Sequence, residues 1–306
     1  MNKTNRMALT IITALAGVLL SSAAVAENAN VESKAIGFSV IKTANSSLIP
    51  EAVVVDSGSW FTLRRLAQNA VLIKHPKGNV LIDTGLGKNI EQQFESNSFF
   101  DRQLFKFDAL DPVYEQLLRN NEDPVTVSKI IPTHLHWDHA SGIEDFKQAQ
   151  VWVQKEELEE AKSGQAPAHL QSQIDDPNIL WNIFSLNNVS YKGFSRSLDI
   201  YKDGSIVLVD LSGHSAAQVG IFLTVSSGEQ YFFIGDTTWT SKGIEDNSPR
   251  SNLIKWLVHL NWSDDKNTQQ IDKLHQFQKN NRSITVVPAH DELIMASLPM
   301  YPDIKY

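Results

Sequence analysis

The chain has no cysteine in 306 residues. That excludes a disulfide framework, a lipid tether through cysteine, and a thiolate as metal ligand or nucleophile. The core must therefore supply the stability alone. A strongly basic block is also lacking, and the formal charge is -8. This balance argues against a general binder of phosphate backbones, so no nucleic-acid partner is expected. No linker rich in Pro, Gly or Ser divides the chain. The apolar run from Met7 to Leu20 is shorter than the roughly 20 residues of a membrane span. Lys3 and Arg6 precede it, and "SSAAVA" ending at Ala26 follows it, which is the layout of a cleavable secretory signal. The expected organisation is a signal peptide over 1–26 and one domain over 27–306. The product would be exported to the periplasm or the medium without a stable membrane anchor.

What is present is a set of short apolar strands. "AVVVDSG" (52–58) reads as a strand, and "NAVLIKHPKGNVLIDTG" (69–85) as two strands around a turn at "HPKG". "VSKII", "VWVQ", "SIVLVDL", "VGIFLTV", "QYFFIGD" and "SITVV" follow. Helical spacing occupies 110–121, 251–260 and 263–279, the last with Ser263 as cap. Strands thus come in two groups, each trailed by helices, which predicts an α/β fold of four layers, an αββα sandwich. Two segments read as insertions, 87–109, rich in Phe, and 155–190. The run "KEELEEAK" within the second reads as a solvated helix face.

The nine histidines are unevenly spread. "PTHLHWDHASG" (132–142) holds His134, His136, Asp138 and His139. His214, Asp236 and His290 each follow the end of an expected strand, where loops converge on one rim. His134 and His136 are two apart and project to the same side of extended backbone. Asp138 and His139 are adjacent, so the chain must turn there, and they can serve a second ion. Imidazole and carboxylate without thiolate suit zinc, manganese, iron or cobalt. His75, His169, His259 and His275 read singly as hydrogen-bonded structural residues.

"THLHWDHASG" resembles the H-x-H-x-D-H signature of the metallo-β-lactamase superfamily, with His214, Asp236 and His290 in that superfamily's order. "VLIDTG" (80–85) is similar to its upstream strand end. The resemblance implies the αββα sandwich and two divalent metal ions, zinc being the usual occupant. His134, His136 and His214 would hold the first ion. Asp138, His139 and His290 would hold the second, and Asp236 would bridge them. Asp83 would orient a ligand histidine. True β-lactamases generally lack the bridging aspartate and often use cysteine, so the pattern is closer to lactonase, glyoxalase II, organophosphate hydrolase and phosphodiesterase branches. The implied reaction is hydrolysis of a small lactone, carboxylic ester or organophosphate ester by hydroxide held on the metals. Asp236 and Asp138 are its catalytic candidates, Asp138 as proton carrier to the leaving group. A β-lactamase-type amide hydrolase and a glyoxalase II-like thioesterase are the alternatives.

Lactonases of this superfamily carry a tyrosine three residues after the bridging aspartate. Here Trp239 stands there, and an indole N–H cannot act as a phenol acid. Trp239, Trp60 and Phe61 are the candidate substrate-binding aromatics. The Phe-rich insertion reads equally as a lid over the metals or as a homodimer contact.

Overall fold

A computed structural model describes residues 35–258 and 261–306. The expected signal segment over 1–26, and His259, lie outside the described residues. Seven strands form one sheet: β1 (Gly37–Pro50), β2 (Leu63–Lys74), β3 (Asn79–Ile82), β4 (Phe107–Asp108), β5 (Val127–Ile131), β6 (Gln150–Gln154) and β7 (Leu180–Phe184), in the order β4-β1-β2-β3-β5-β6-β7. Five form the other: β8 (Ser197–Asp199), β9 (Ile206–Asp210), β10 (Val219–Thr224), β11 (Gln230–Phe233) and β12 (Ile284–Val287), in the order β12-β11-β10-β9-β8.

Side-chain alternation sorts the residues into layers. In β2, Val71 and Ile73 face the second sheet, while Ala70 and Leu72 face outward. In β10, Ile221 and Leu223 face the first sheet, while Phe222 faces outward. Strands buried on both faces need apolar residues at successive positions, which is why these runs read as continuous rather than alternating. The outer face of the first sheet is covered by Leu117 of the helix Val113–Arg119 and by Leu158 and Ala161 of the helix Lys155–Ser163. Leu274 and Phe277 of the helix Asp264–Asn280 cover the second. Helix, sheet, sheet and helix are the four expected layers.

Two local expectations change. The strand expected at 52–58 is instead the single helical turn Glu51–Val54 followed by a tight return. Glu51 accepts bonds from the Ser59 amide and the Arg64 guanidinium, which closes that return. A side chain at Gly58 would stand 2.4 Å from the Glu51 carbonyl oxygen, so glycine is required for the close approach. The strand that precedes, β1, was not expected. Register shifts between Lys42 and Ala44 and between Asn45 and Leu48 interrupt its alternation.

Candidate active site

Strand ends supply the polar groups. Asp83 follows β3, the His134–His139 segment follows β5, Asp236 follows β11 and His290 follows β12. β3 pairs parallel with β5, and β11 with β12, so these ends share one rim. His214 reaches it from the loop after β9.

The chain bends at Thr133 and His134, returns to extended backbone at His136 and then makes the one-turn helix Trp137–Ala140. The rings of His134 and His136 come to 4.5 Å between centroids, and the His214 ring lies 4.5 Å from His136. On the helical turn, adjacent residues diverge by ~100°, which sends Asp138 and His139 toward His290 instead. His290 Nε2 lies 3.4 Å from Asp138 Oδ2 and 3.0 Å from Asp236 Oδ1. Asp236 divides its carboxylate: Oδ1 is 3.3 Å from His139 Nε2, and Oδ2 is 3.5 Å from His214 Nε2. Donor atoms of His134, His136 and His214 gather in one group and those of Asp138, His139 and His290 in another, and those of His134, His139 and Asp236 gather between them.

The outer ring nitrogens are tied to the frame. His139 Nδ1 meets Asp83 Oδ2 at 2.9 Å, His214 Nδ1 meets Asn261 Oδ1 at 2.9 Å, and His290 Nδ1 meets the Ala67 carbonyl at 2.7 Å. An Nδ1–H spent outward fixes the tautomer and leaves the Nε2 lone pair facing inward, which is the arrangement of a metal-ligating imidazole. Asp83 sits at φ 53°, a left-handed conformation that costs a non-glycine residue about 1–3 kcal/mol. The turn aims its carboxylate at both the Thr133 amide, at 2.6 Å, and His139.

Metal ions fit this donor set. The Nε2 atoms of His134, His139 and His214, and Oδ1 of Asp236, are buried without a hydrogen-bond partner. Each such atom costs about 1–3 kcal/mol when left unsatisfied, and these converge on one space. Burial, reinforced by neighbouring imidazoles, keeps His134 and His136 well below the usual histidine range. Burial and then Arg250 bring His214 to about 3. Burial also opposes charge on His139 and His290. There the carboxylates outweigh it, Asp83 foremost for His139 and Asp236 for His290, and both are raised. A cation among those carboxylates meets the same negative field that draws protons to the rings.

Several participants are not legible as site residues in the sequence. Arg250 is fully buried, donates to the Asp236 carbonyl and to Asn261 Oδ1, and stacks 4.9 Å over the Trp239 ring. Burial lowers its guanidinium to about 10, so it remains charged at neutral pH. Neither Arg250 nor Asn261 carries a sequence signal, since each lies in a polar loop. Glu157 corrects the solvated-face reading of "KEELEEAK": it is buried, and its carboxylate accepts bonds from the Leu135 amide, the Ser215 hydroxyl and the Ala217 amide. Glu157 stands four residues before buried Ala161 and so shares its helix face, but that spacing does not disclose which groups the carboxylate bonds.

A cavity opens over the two groups, and Asp138, His136, Asp236 and His290 line its floor. Its walls include Ile49, Leu66, Leu104, Phe105, Phe107 and Trp239. The Phe-rich insertion therefore divides: Phe105 and Phe107 pack against Trp137 over the site, while Phe99 and Phe100 point to solvent. Trp239 lies on the wall with its Nε1–H donated to Asp236 Oδ2 at 2.7 Å. Trp60 and Phe61, expected to touch substrate, do not line the cavity. They occupy the exposed return before β2, with Phe61 98% exposed, because the Glu51–Ser59 closure turns that loop outward.

Comparison with known proteins agrees with this frame. The family model described as the metallo-beta-lactamase superfamily matches residues 63–273. An N-acyl homoserine lactonase AttM of Rhizobium radiobacter is 22% identical over 76% of this chain and 84% of its own length. A solved N-acyl homoserine lactone hydrolase, with the product N-hexanoyl-L-homoserine at its catalytic metal centre, superposes with TM-score 0.68 at 18% identity, covering 89% of this chain and 99% of that one. AidC, a dizinc quorum-quenching lactonase in complex with a product, superposes with TM-score 0.56 at 14% identity, covering 89% and 93%.

Proposed function

The chain belongs to the metallo-β-lactamase superfamily of hydrolases, and from that premise we propose that it is an exported, dinuclear lactonase that opens the ring of a small acylated lactone. The observation that carries the dinuclear part is Asp236, whose two oxygens face different histidine groups. The relatives named above are lactonases, and the apolar wall over the site suits an acyl chain.

His134, His136 and His214 would hold one ion, and Asp138, His139 and His290 the other, with Asp236 shared. Two divalent ions, when bound, would supply a nucleophilic water at neutral pH and a Lewis acid for the ester carbonyl. The chain's own residues do the rest. Asp83, Asn261 and the Ala67 carbonyl hold three of the imidazoles in register. Ile49, Leu66, Phe105 and Trp239 exclude water from the acyl side of the cavity. Asp138 lines the cavity floor and is less buried than Asp236, which suits it to carry a proton to the leaving alkoxide. Trp239 acts as wall and as partner of Asp236, since its N–H is already engaged.

The test is a substrate panel on protein loaded with zinc or manganese: N-acyl homoserine lactones of graded chain length, a chromogenic β-lactam, a thioester and an aryl phosphotriester. Lactone opening should dominate, with kcat/KM on the order of 10⁴ M⁻¹s⁻¹ or more. Fast β-lactam turnover without lactone opening would overturn the assignment. Export is checked by the N-terminal sequence of protein recovered outside the cytoplasm, which should begin at Glu27.

A further inference from the structure

One buried carboxylate ties together the two loops that carry the first histidine group. Glu157 Oε1 accepts the Leu135 amide at 2.8 Å, and Leu135 lies between His134 and His136. Glu157 Oε2 accepts the Ser215 hydroxyl at 2.6 Å and the Ala217 amide at 3.0 Å, just beyond His214. Its neighbours add two more ties: Glu160 Oε2, on the same helix, accepts the Ala216 amide at 2.6 Å, and Gln154 Nε2, at the end of β6, donates to the Ala217 carbonyl at 3.0 Å. Among the described residues no Lys, Arg or His stands within ion-pair distance of Glu157. A buried carboxylate without a countercharge is costly, and only its hydrogen bonds offset that cost. Burial of this kind, at this cost, marks a group whose geometry matters.

We propose that Glu157 is a positioning residue for the first metal: it sets the distance between the His134–His136 loop and the His214 loop, and thereby the affinity of that half of the site. The inference rests on the dinuclear reading above. It assigns Glu157 no contact with substrate, and its own hydrogen bonds go to the loops of the first group, while Asp83 supports His139 and the Ala67 carbonyl supports His290.

Glu157→Gln keeps size and shape but replaces one acceptor oxygen with an amide donor. That donor must face an N–H or O–H on one of the two loops. Competitive zinc titration against a chromogenic chelator should show one of two equivalents weakened about tenfold or more, within the range known for lost outer partners of metal ligands. The other equivalent should match the parent, and the far-ultraviolet circular dichroism should be unchanged. Ser215→Ala removes a single bond to the same carboxylate, so it should weaken the same equivalent to a smaller degree even where Glu157→Gln fails to fold. Parent-like binding of both equivalents in Glu157→Gln, or equal weakening of both in either variant, overturns the proposal. The titration contains no lactone, so the substrate assignment stands or falls separately.

Discussion

The two histidine groups sit side by side and are built differently. His134, His136 and His214 lie near one carboxylate, Asp236, with the Arg250 guanidinium beside His214, and burial drives all three below the ordinary histidine range. His139 and His290 lie among Asp83, Asp138 and Asp236, and their affinity for protons rises despite equal burial. One half is a set of preorganised lone pairs, and the other is a pocket of negative charge. A divalent ion gains from both, but in the second half it also gains from carboxylate charge. The two ions should therefore bind with different affinities, the tighter one beside Asp138. Asp236 is the element common to both halves, so removing it should have the largest effect. Asp236→Ala should strip both equivalents and lower kcat/KM by more than the roughly 10–100-fold typical of an outer partner, with the fold retained in circular dichroism. A variant that still holds both ions would refute the shared role.

Striking one half at a time separates the two. Asp83→Asn keeps an oxygen for the His139 Nδ1–H but removes the charge. Its amide nitrogen then faces the Thr133 amide beside His134, so the variant should weaken chiefly the equivalent beside Asp138, by roughly 10–100-fold, where Glu157→Gln weakens chiefly the other. Zinc titrations of the two variants should be mirror images. If both weaken the same equivalent, the division of the site is wrong.

The halves also differ in how far the sequence discloses them. Ligand residues are legible because imidazole and carboxylate crowd into the six positions 134–139 and recur at strand ends, and because strand ends share a rim. Asp83 is legible only through the likeness of "VLIDTG" to the superfamily's upstream strand end. Their supports are not. Glu157 lies in a run of charged residues whose ordinary fate is solvent, and only the two amide-bearing loops folded over it make the buried position tolerable. Arg250 and Asn261 meet His214 and Asp236 through tertiary packing alone. The layers followed from continuous apolar runs. β1 did not, since its bulges break the period by which a strand is recognised. Trp60 and Phe61 show the converse: aromatic character suggested a substrate wall, but the direction of a loop depends on how it closes.

Trp239 probes the join between the halves with a smaller change. Its Nε1–H bonds the same Asp236 oxygen that faces His214. Trp239→Phe keeps an aromatic wall and deletes the donor. A hydrogen bond to a charged group is worth about 1.5–3 kcal/mol, so kcat/KM for a lactone should fall by about ten- to a hundredfold, with KM changing less than kcat. An effect confined to KM would make the indole a wall and nothing else.

The smallest effect concerns a carboxylate outside both halves, which tests whether the pH response belongs to the site at all. Asp145 closes the segment after the motif and accepts the Lys88 amide at 3.1 Å. Burial lifts its pKa from 3.8 to about 6, while Lys88 holds it back. The folded value is raised above the unfolded one, so its stabilising contribution is full below about pH 4 and lost as pH rises through about 6. Asp145→Asn can still accept the Lys88 amide but cannot ionise. Relative to the parent, its melting temperature should therefore rise between about pH 4.5 and pH 7.5, and the metal titration should be unchanged. Subtracting the two melting curves cancels the histidines and carboxylates of the site, which both proteins share. Parallel curves would mean that Asp145 titrates alike in the folded and unfolded chain, and that the pH response lies with other groups.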